Sequence, residues 1–345
     1  MNPRKWWRKG MTNTDTTSTA MRSVFITLFD KTKCKRRFEE LNHEQKLITK
    51  NFIVEPARVK VKHNRKTIEK NRTLLNQQFP NFQYVTNRIF DNLLLTAISK
   101  TKGIKFRPML LVGKPGIGKT YYTAKLAELL AVPKVAIDFA TASAGFVLTG
   151  TSSKWGNSSV GVIAKLLMTQ KICNGIVVLD EIDKTRSSFT NAPDPLNSLL
   201  SLLEQHSAKV FTDEFLEFSI DASEISYIAT ANNVSEIPDY VLSRFEICHI
   251  QRLSNNQIKK VAKLTYTNLL TELEIEADFS QKLSQQVISE IANVADVRQL
   301  KSIITNALIL AVRDGRNSLL KKDMISSIGE STAMKQTKST MGFIH

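Results

Sequence analysis

The chain has 345 residues, 42% of them hydrophobic and 23% charged, with a formal net charge of +16. That is enough apolar material for two or three packed domains, and it excludes a disordered or low-complexity chain. No apolar run approaches the ~18 residues of a membrane span, the basic N-terminus lacks the apolar core of a signal peptide, and three scattered cysteines, Cys34, Cys173 and Cys248, read as reduced cytoplasmic thiols.

In chain order, residues 1–22 are polar and basic, and residues 23–80 form a basic, mainly helical region. Residues 1–105 carry 23 Lys/Arg against 8 Asp/Glu, a net of +15, whereas residues 106–345 are close to neutral. The basic clusters are Arg4–Lys9 around Trp6 and Trp7, Lys31–Arg37, and Arg58–Lys70. Cations interleaved with indoles suit nucleic acid, so residues 1–70 are a candidate nucleic-acid surface. An anionic membrane surface, an acidic protein or solvent alone would serve the same residues equally well. Helical spacing is expected over 35–53 and 64–79, joined by a β-branched stretch around Val59-Lys60-Val61. A stronger helix spans Phe82–Ser99, with Val85, Ile89, Leu93 and Ile98 on one side.

Residues 81–252 then alternate strand and helix. Strands are predicted at 109–112, 134–139, 176–180, 226–231 and 246–250, giving an α/β fold with a parallel five-stranded sheet and helices on both faces. A hairpin is expected within Lys209–Ile220. From 253 to 329 the pattern is helical only, at about 255–273, 280–293, 296–313 and 319–328, which marks a small all-α lid. Residues 330–345 are a polar tail.

The chemistry-bearing motifs sit at the ends of the predicted strands. Met109–Val112 runs into Gly113-Lys114-Pro115-Gly116-Ile117-Gly118-Lys119-Thr120, a complete GxxxxGK[ST] loop, and a helix follows from Tyr121. Such a strand–loop–helix aims backbone N–H groups and a helix N-terminus at phosphate. Lys119 then reaches the β- and γ-phosphates and Thr120 ligates Mg²⁺. Ile176–Leu179 ends in Asp180 and Glu181, placed for the Mg²⁺ shell and for polarising the attacking water. Asn232, after the strand 226–231, can orient that water. Arg244, after a short helix, can reach a neighbouring subunit's γ-phosphate, and Arg298 can reach back over the nucleotide from the lid.

These residues in this order resemble the AAA+ ATPases, and the longer stretch resembles the ATPase module of Lon proteases. The similar segments are Val178–Lys184, Asp194-Pro195, Leu199–Glu204, Phe211–Asp213, Leu216-Glu217, Asp221, Ile228–Asn232, Ile237-Pro238, Leu242, Arg244, Glu246 and Asp296–Leu300. The resemblance implies a P-loop fold with a helical lid that assembles into a ring, expected to be a hexamer, using ATP and Mg²⁺. It makes Asn232 sensor 1, Arg244 the arginine finger and Arg298 sensor 2. Expected nucleotide contacts are Gly113, Lys114, Pro115, Gly116, Ile117, Gly118, Lys119, Thr120, Tyr121 and Arg298. Thr120 and Asp180 are the expected metal ligands, and Glu181, Lys119, Asn232, Arg244 and Arg298 the expected catalytic set.

The departures matter too. The chain ends at His345, leaving no room for the Ser–Lys peptidase domain of Lon, so remodelling without intrinsic proteolysis is the expectation. The aspartate usual before the finger arginine is Ser243. In the region of Lon's pore loop the chain has Leu148-Thr149-Gly150 and then Trp155-Gly156, one residue shorter. Trp155 either grips a threaded protein client or covers a loop. An ATP-controlled nucleic-acid switch or loader is the alternative function.

Overall fold

The computed structural model describes residues 24–43, 46–47, 49–50, 57–141, 144–152, 158–185, 195–292 and 299–330. Strands are numbered in chain order: β1 Val24–Thr27, β2 Ala57–Lys60, β3 Met109–Val112, β4 Lys134–Asp138, β5 Ile176–Asp180, β6 Phe211–Thr212, β7 Ser219–Ile220, β8 Ser226–Ala231 and β9 Glu246–His249.

The central sheet has the order β4-β5-β8-β3-β9, and every pairing is parallel. Its three inner strands are unbroken apolar or small-residue runs because both faces are covered. Alternation along each strand divides the core in two. Leu110, Val112, Val177, Leu179, Tyr227 and Ala229 join one cluster, which packs beneath the helices Val162–Thr169 and Pro195–Leu203. Met109, Leu111, Ile176, Val178 and Ile228 join the other, beneath the helices Arg65–Gln78, Gln83–Ile98 and Lys119–Leu130. A third cluster lies within the lid helices Asn255–Glu272, Gln285–Ile291, Leu300–Arg313 and 321–330.

The sheet and lid therefore match the expected α/β architecture with a helical lid. Several boundaries differ. The first helix covers Lys31–Glu40, starting four residues earlier than expected because the Asp30 carboxylate caps the N–H groups of Thr32 and Lys33, and residues 43, 46–47 and 49–50 of the expected 35–53 span are helical as well. The second lid helix begins at Gln285, where the Ser284 hydroxyl accepts from Val287 N–H. Val85, Ile89 and Leu93 are buried as expected, but Ile98 is 83% exposed: it follows Ile89 by about two and a half turns and so stands on the opposite face, while Ala97 still packs on the core.

The basic N-terminal region is built into this core where it is described. β1 and β2 form an antiparallel ribbon. Leu28, Phe29 and Cys34 enter one cluster and Ile68 and Leu75 the other. Val59 bonds both Lys171 O and Cys173 N, next to the start of β5. Arg58, only 5% exposed, donates to the carbonyls of Leu167 and Met168 at the end of a helix. Those orphan carbonyls are a favourable place for a buried guanidinium. All three cysteines are buried and unbridged. Burial pushes the Cys34 and Cys173 thiols up to about 12, which makes them poor nucleophiles.

The expected hairpin is present as β6 and β7, paired Phe211↔Ile220 and Thr212↔Ser219. In its turn, Asp213 is fully buried and accepts from the backbone N–H groups of Gly161, Phe215 and Leu216. A Cβ on Gly161 would lie 2.7 Å from that carboxylate and 2.5 Å from Leu148 O, so the close approach requires glycine. Glu214 N–H also bonds Thr149 O. The hairpin thus clamps both stems of the loop that contains Trp155, which itself lies outside the described residues. Arg298 and residues 1–23, including Trp6 and Trp7, lie outside them as well.

Candidate functional site

The loop Gly113–Gly118 leaves the carboxyl end of β3, between β8 and β9, and the helix Lys119–Leu130 begins immediately after it. This is the crevice at which open α/β sheets bind ligands. Gly116 and Gly118 have φ of +85° and +96°, a region closed to most side chains. A Cβ on Gly118 would meet nothing within 4 Å, so the loop leaves open space there. At Gly113 a Cβ would strike Ile117 and the carbonyl of Ile250, so this glycine is required for packing.

Lys119 folds back over the loop. Its ammonium donates to Gly113 O, to Lys114 O at 3.5 Å and to Asn232 Oδ1 at 3.0 Å. Desolvation pushes its pKa down, while Asp183, Asp180 and Glu181 favour the charged form. A half-buried cation resting on carbonyl oxygens suits exchange for an anion. Beside it, the Thr120 hydroxyl lies 3.2 Å from Asp180 Oδ2. A hydroxyl and a carboxylate at this spacing are hard oxygen donors of the kind that Mg²⁺ takes together with water and phosphate. The donor set therefore fits both groups that the sequence motif implies.

Glu181 follows in a left-handed backbone conformation, φ 56° and ψ 48°. For a non-glycine residue that costs on the order of 1–2 kcal/mol, a strain that folded structures concentrate at functional sites. It is held by Thr230, whose hydroxyl accepts from Glu181 N–H at 3.1 Å and donates to Asp180 Oδ1. The Glu181 carboxylate pairs with Lys184 at 2.7 Å. Asp183 Oδ2 accepts from the N–H groups of Asn232 at 2.8 Å and Asn233 at 3.2 Å, which fixes the end of β8. The other Asp183 oxygen is buried without a protein partner.

Lys119, Thr120, Asp180, Glu181 and Asn232 are therefore brought together. Tyr121 is not turned inward: it is 66% exposed, with its ring against Phe79 at 5.3 Å. Arg244 is elsewhere altogether. β3 and β9 run side by side from Met109↔Glu246 to Val112↔His249. Gly113 follows one end of this pair and Arg244 precedes the other. The four-residue strand between them spans about 13 Å at ~3.3 Å per residue. Arg244 pairs there with Glu204 on the surface.

Thr230, Asp183 and Lys184 were not among the residues that sequence reasoning assigned to the site. Asp183 and Lys184 had a faint signal, an acid and a base just beyond Asp180-Glu181. Thr230 had none, since a threonine inside a strand is ordinary.

Residues 109–253 match the family described as "ATPase family associated with various cellular activities (AAA)". The Lon protease of Mycoplasma genitalium is 31% identical over 251 residues, which is 71% of this chain and 30% of that protein. The Lon protease of Mycoplasma mycoides subsp. mycoides SC is 30% identical over 221 residues, 63% of this chain and 27% of that protein. The chain thus spans less than a third of these relatives' length. Among solved structures, the Hsp104–casein complex of S. cerevisiae in an extended conformation aligns with a TM-score of 0.60 at 17% identity, covering 76% of this chain and 52% of that one. That likeness concerns the fold.

Proposed function

We propose that this chain, an ATP hydrolase of the AAA family whose module resembles the ATPase module of Lon proteases, spends ATP hydrolysis on remodelling or unfolding protein clients. The observation that carries the reading is the convergence of three separate segments on one point. Lys119 and Thr120 come from the loop and helix after β3, Asp180 and Glu181 from the end of β5, and Asn232 from the end of β8.

Backbone N–H groups of the loop and the start of the helix Lys119–Leu130 orient phosphate. Lys119 moves from its carbonyl partners to phosphate oxygens, and Asn232, released from Lys119, is left to orient water. Glu181 accepts the proton of that water as it attacks. Thr120 and Asp180 would hold Mg²⁺, which supplies charge neutralisation at the phosphate oxygens when bound. Arg244 cannot reach its own chain's loop, so its guanidinium serves the γ-phosphate of a neighbouring copy in a ring. Arg298 is assigned to γ-phosphate sensing from the lid by resemblance alone. The chemistry of the described site is phosphoanhydride cleavage, and peptide-bond cleavage is not part of this reading. Trp155 as a client grip is likewise a proposal.

The test is Mg²⁺-dependent ATP turnover by the purified full chain, together with ATP-dependent unfolding of a fluorescent reporter protein. Absence of both, or a Glu181→Gln form that turns over ATP normally, would sink the reading.

One observation favours a second reading, a nucleic-acid-binding switch. The helix Lys31–Glu40 buries Cys34 and leaves Lys31, Lys33, Lys35 and Arg36 exposed. Salt-dependent binding of DNA or RNA, abolished by replacing these four residues with glutamine, would support it.

A further inference from the structure

The end of the sheet opposite the phosphate loop holds a second concentration of positive charge. Arg107 precedes β3, Arg244 precedes β9, and Arg88 stands on the helix Gln83–Ile98. All three line one cleft of about 410 Å³, with Ser243 and Glu246. Glu246 is the one carboxylate in the lining, and Arg88 bonds it at 2.5 Å, so the repulsion that it would exert on an anion is largely cancelled. Arg244 is held by Glu204, but that pair is exposed on both sides (41% and 44%), the kind that contributes little and exchanges readily. Arg107 is exposed and has no ionic or hydrogen-bonding partner among the described residues. Its backbone is fixed all the same, because Phe106 N–H bonds Ser226 Oγ and Pro108 O accepts from Glu246 N–H.

A rigidly based guanidinium with no internal partner, beside another that is weakly held, suits a ligand with several anionic oxygens. We propose that this cleft is a phosphate-recognition site for the terminal phosphates of nucleotide bound to a second copy of the chain, with Arg107 touching the anion alongside Arg244. Arg88 is a positioning residue that neutralises Glu246. The proposal rests on the reading of Arg244 as a residue acting in trans and extends it to a residue pair supplied by one subunit.

Turnover of the full chain tests it through mixing. Arg107→Ala lowers kcat by about tenfold or more, with KM for ATP within about threefold and oligomer size retained. Arg107→Lys, which keeps a point charge, recovers part of the loss. Equimolar Arg107→Ala and Lys119→Ala chains, each poor alone, regain turnover: the latter supplies an intact cleft to the intact phosphate loop of the former. Equimolar Arg107→Ala and Arg244→Ala chains do not, because every cleft then lacks one arginine. Wild-type turnover in Arg107→Ala overturns the proposal. So does loss of assembly, which would make Arg107 an interface residue only. So does recovery in the mixture of the two arginine variants, which would separate their roles. Binding of inorganic triphosphate by monomeric Lys119→Ala chains, lost on adding Arg107→Ala, overturns the in-trans assignment in favour of a free-anion site. If Arg244→Ala alone leaves turnover unchanged, the finger reading fails, and Arg107 is then judged on its own mixture with Lys119→Ala.

Discussion

At the carboxyl ends of β3, β5 and β8 the sheet gathers groups that bond one another: Lys119 with Asn232, Thr120 with Asp180, and Thr230 with Asp180 and Glu181. At the amino ends of β3 and β9 it gathers exposed arginines, two paired only with Glu246 and Glu204 and one with no described residue at all. The carboxyl end is self-contained and carries strain at Glu181. The amino end faces outward and has no acceptor of its own equal to its charge. In a parallel sheet all loops of one kind emerge on one side, so a strand that brings a phosphate loop to one face leaves its preceding residues on the other. In the proposed reading, the amino end of one chain completes the site at another chain's carboxyl end.

The largest expected effect lies at the carboxyl end. Glu181→Gln should lower ATP turnover by ~10³-fold while nucleotide binding persists, since general-base catalysis contributes about 10²–10⁴; equilibrium binding of a fluorescent ATP analogue beside steady-state turnover checks both halves. Arg244→Ala should lower turnover by at least about 10²-fold, and mixing with Lys119→Ala chains should restore part of it. A loss that mixing never restores would show that the two ends do not meet between chains. Thr230→Val keeps the shape and removes the hydroxyl that links Asp180 to Glu181. Turnover should fall about tenfold, and urea unfolding should register a loss of about 1–2 kcal/mol from the bonds left unmade. Lys184→Ala should raise turnover about two- to threefold at low salt by releasing Glu181, with the difference vanishing at high salt, because the pair is exposed.

The smallest effect on turnover belongs to Asp213, which touches neither end. Burial pushes its pKa from 3.8 up to about 6 despite three backbone N–H donors. The folded chain therefore holds this proton more tightly than the unfolded chain. Its stabilising contribution is full below about pH 4 and is lost as pH rises through about 6, a change on the order of 3 kcal/mol. Asp213→Asn should flatten that part of the stability–pH profile, as read by thermal unfolding across pH 4–7, and leave the ATP site unchanged.

Much of this was legible in the chain itself. The runs Met109–Val112, Ile176–Leu179 and Ser226–Ala231 reveal buried parallel strands because a strand covered on both faces has no polar side to show. The glycine loop and Asp180-Glu181 stand out because φ > 0 and paired carboxylates at strand ends are rarely tolerated without use. Helix ends were less legible. Asp30 captures the start of the first helix through a local cap that competes with apolar spacing. Ile98, expected on the core side, is exposed because about two and a half turns separate it from Ile89 and put it on the opposite face of the helix.

By itself, then, the sequence determined the fold class, the glycine loop and the paired acids that follow β5, since each depends on residues close together along the chain. The tertiary structure alone decided which distant groups meet. Asn232 Oδ1 comes to Lys119, 113 residues away, because β8 pairs with β3. Thr230 comes to Glu181 because β8 also pairs with β5. The pairing of β3 with β9 sets Arg107 beside Arg244, at the end of the sheet that faces away from the loop. Strand order is a product of long-range packing, and no local pattern of side chains encodes it.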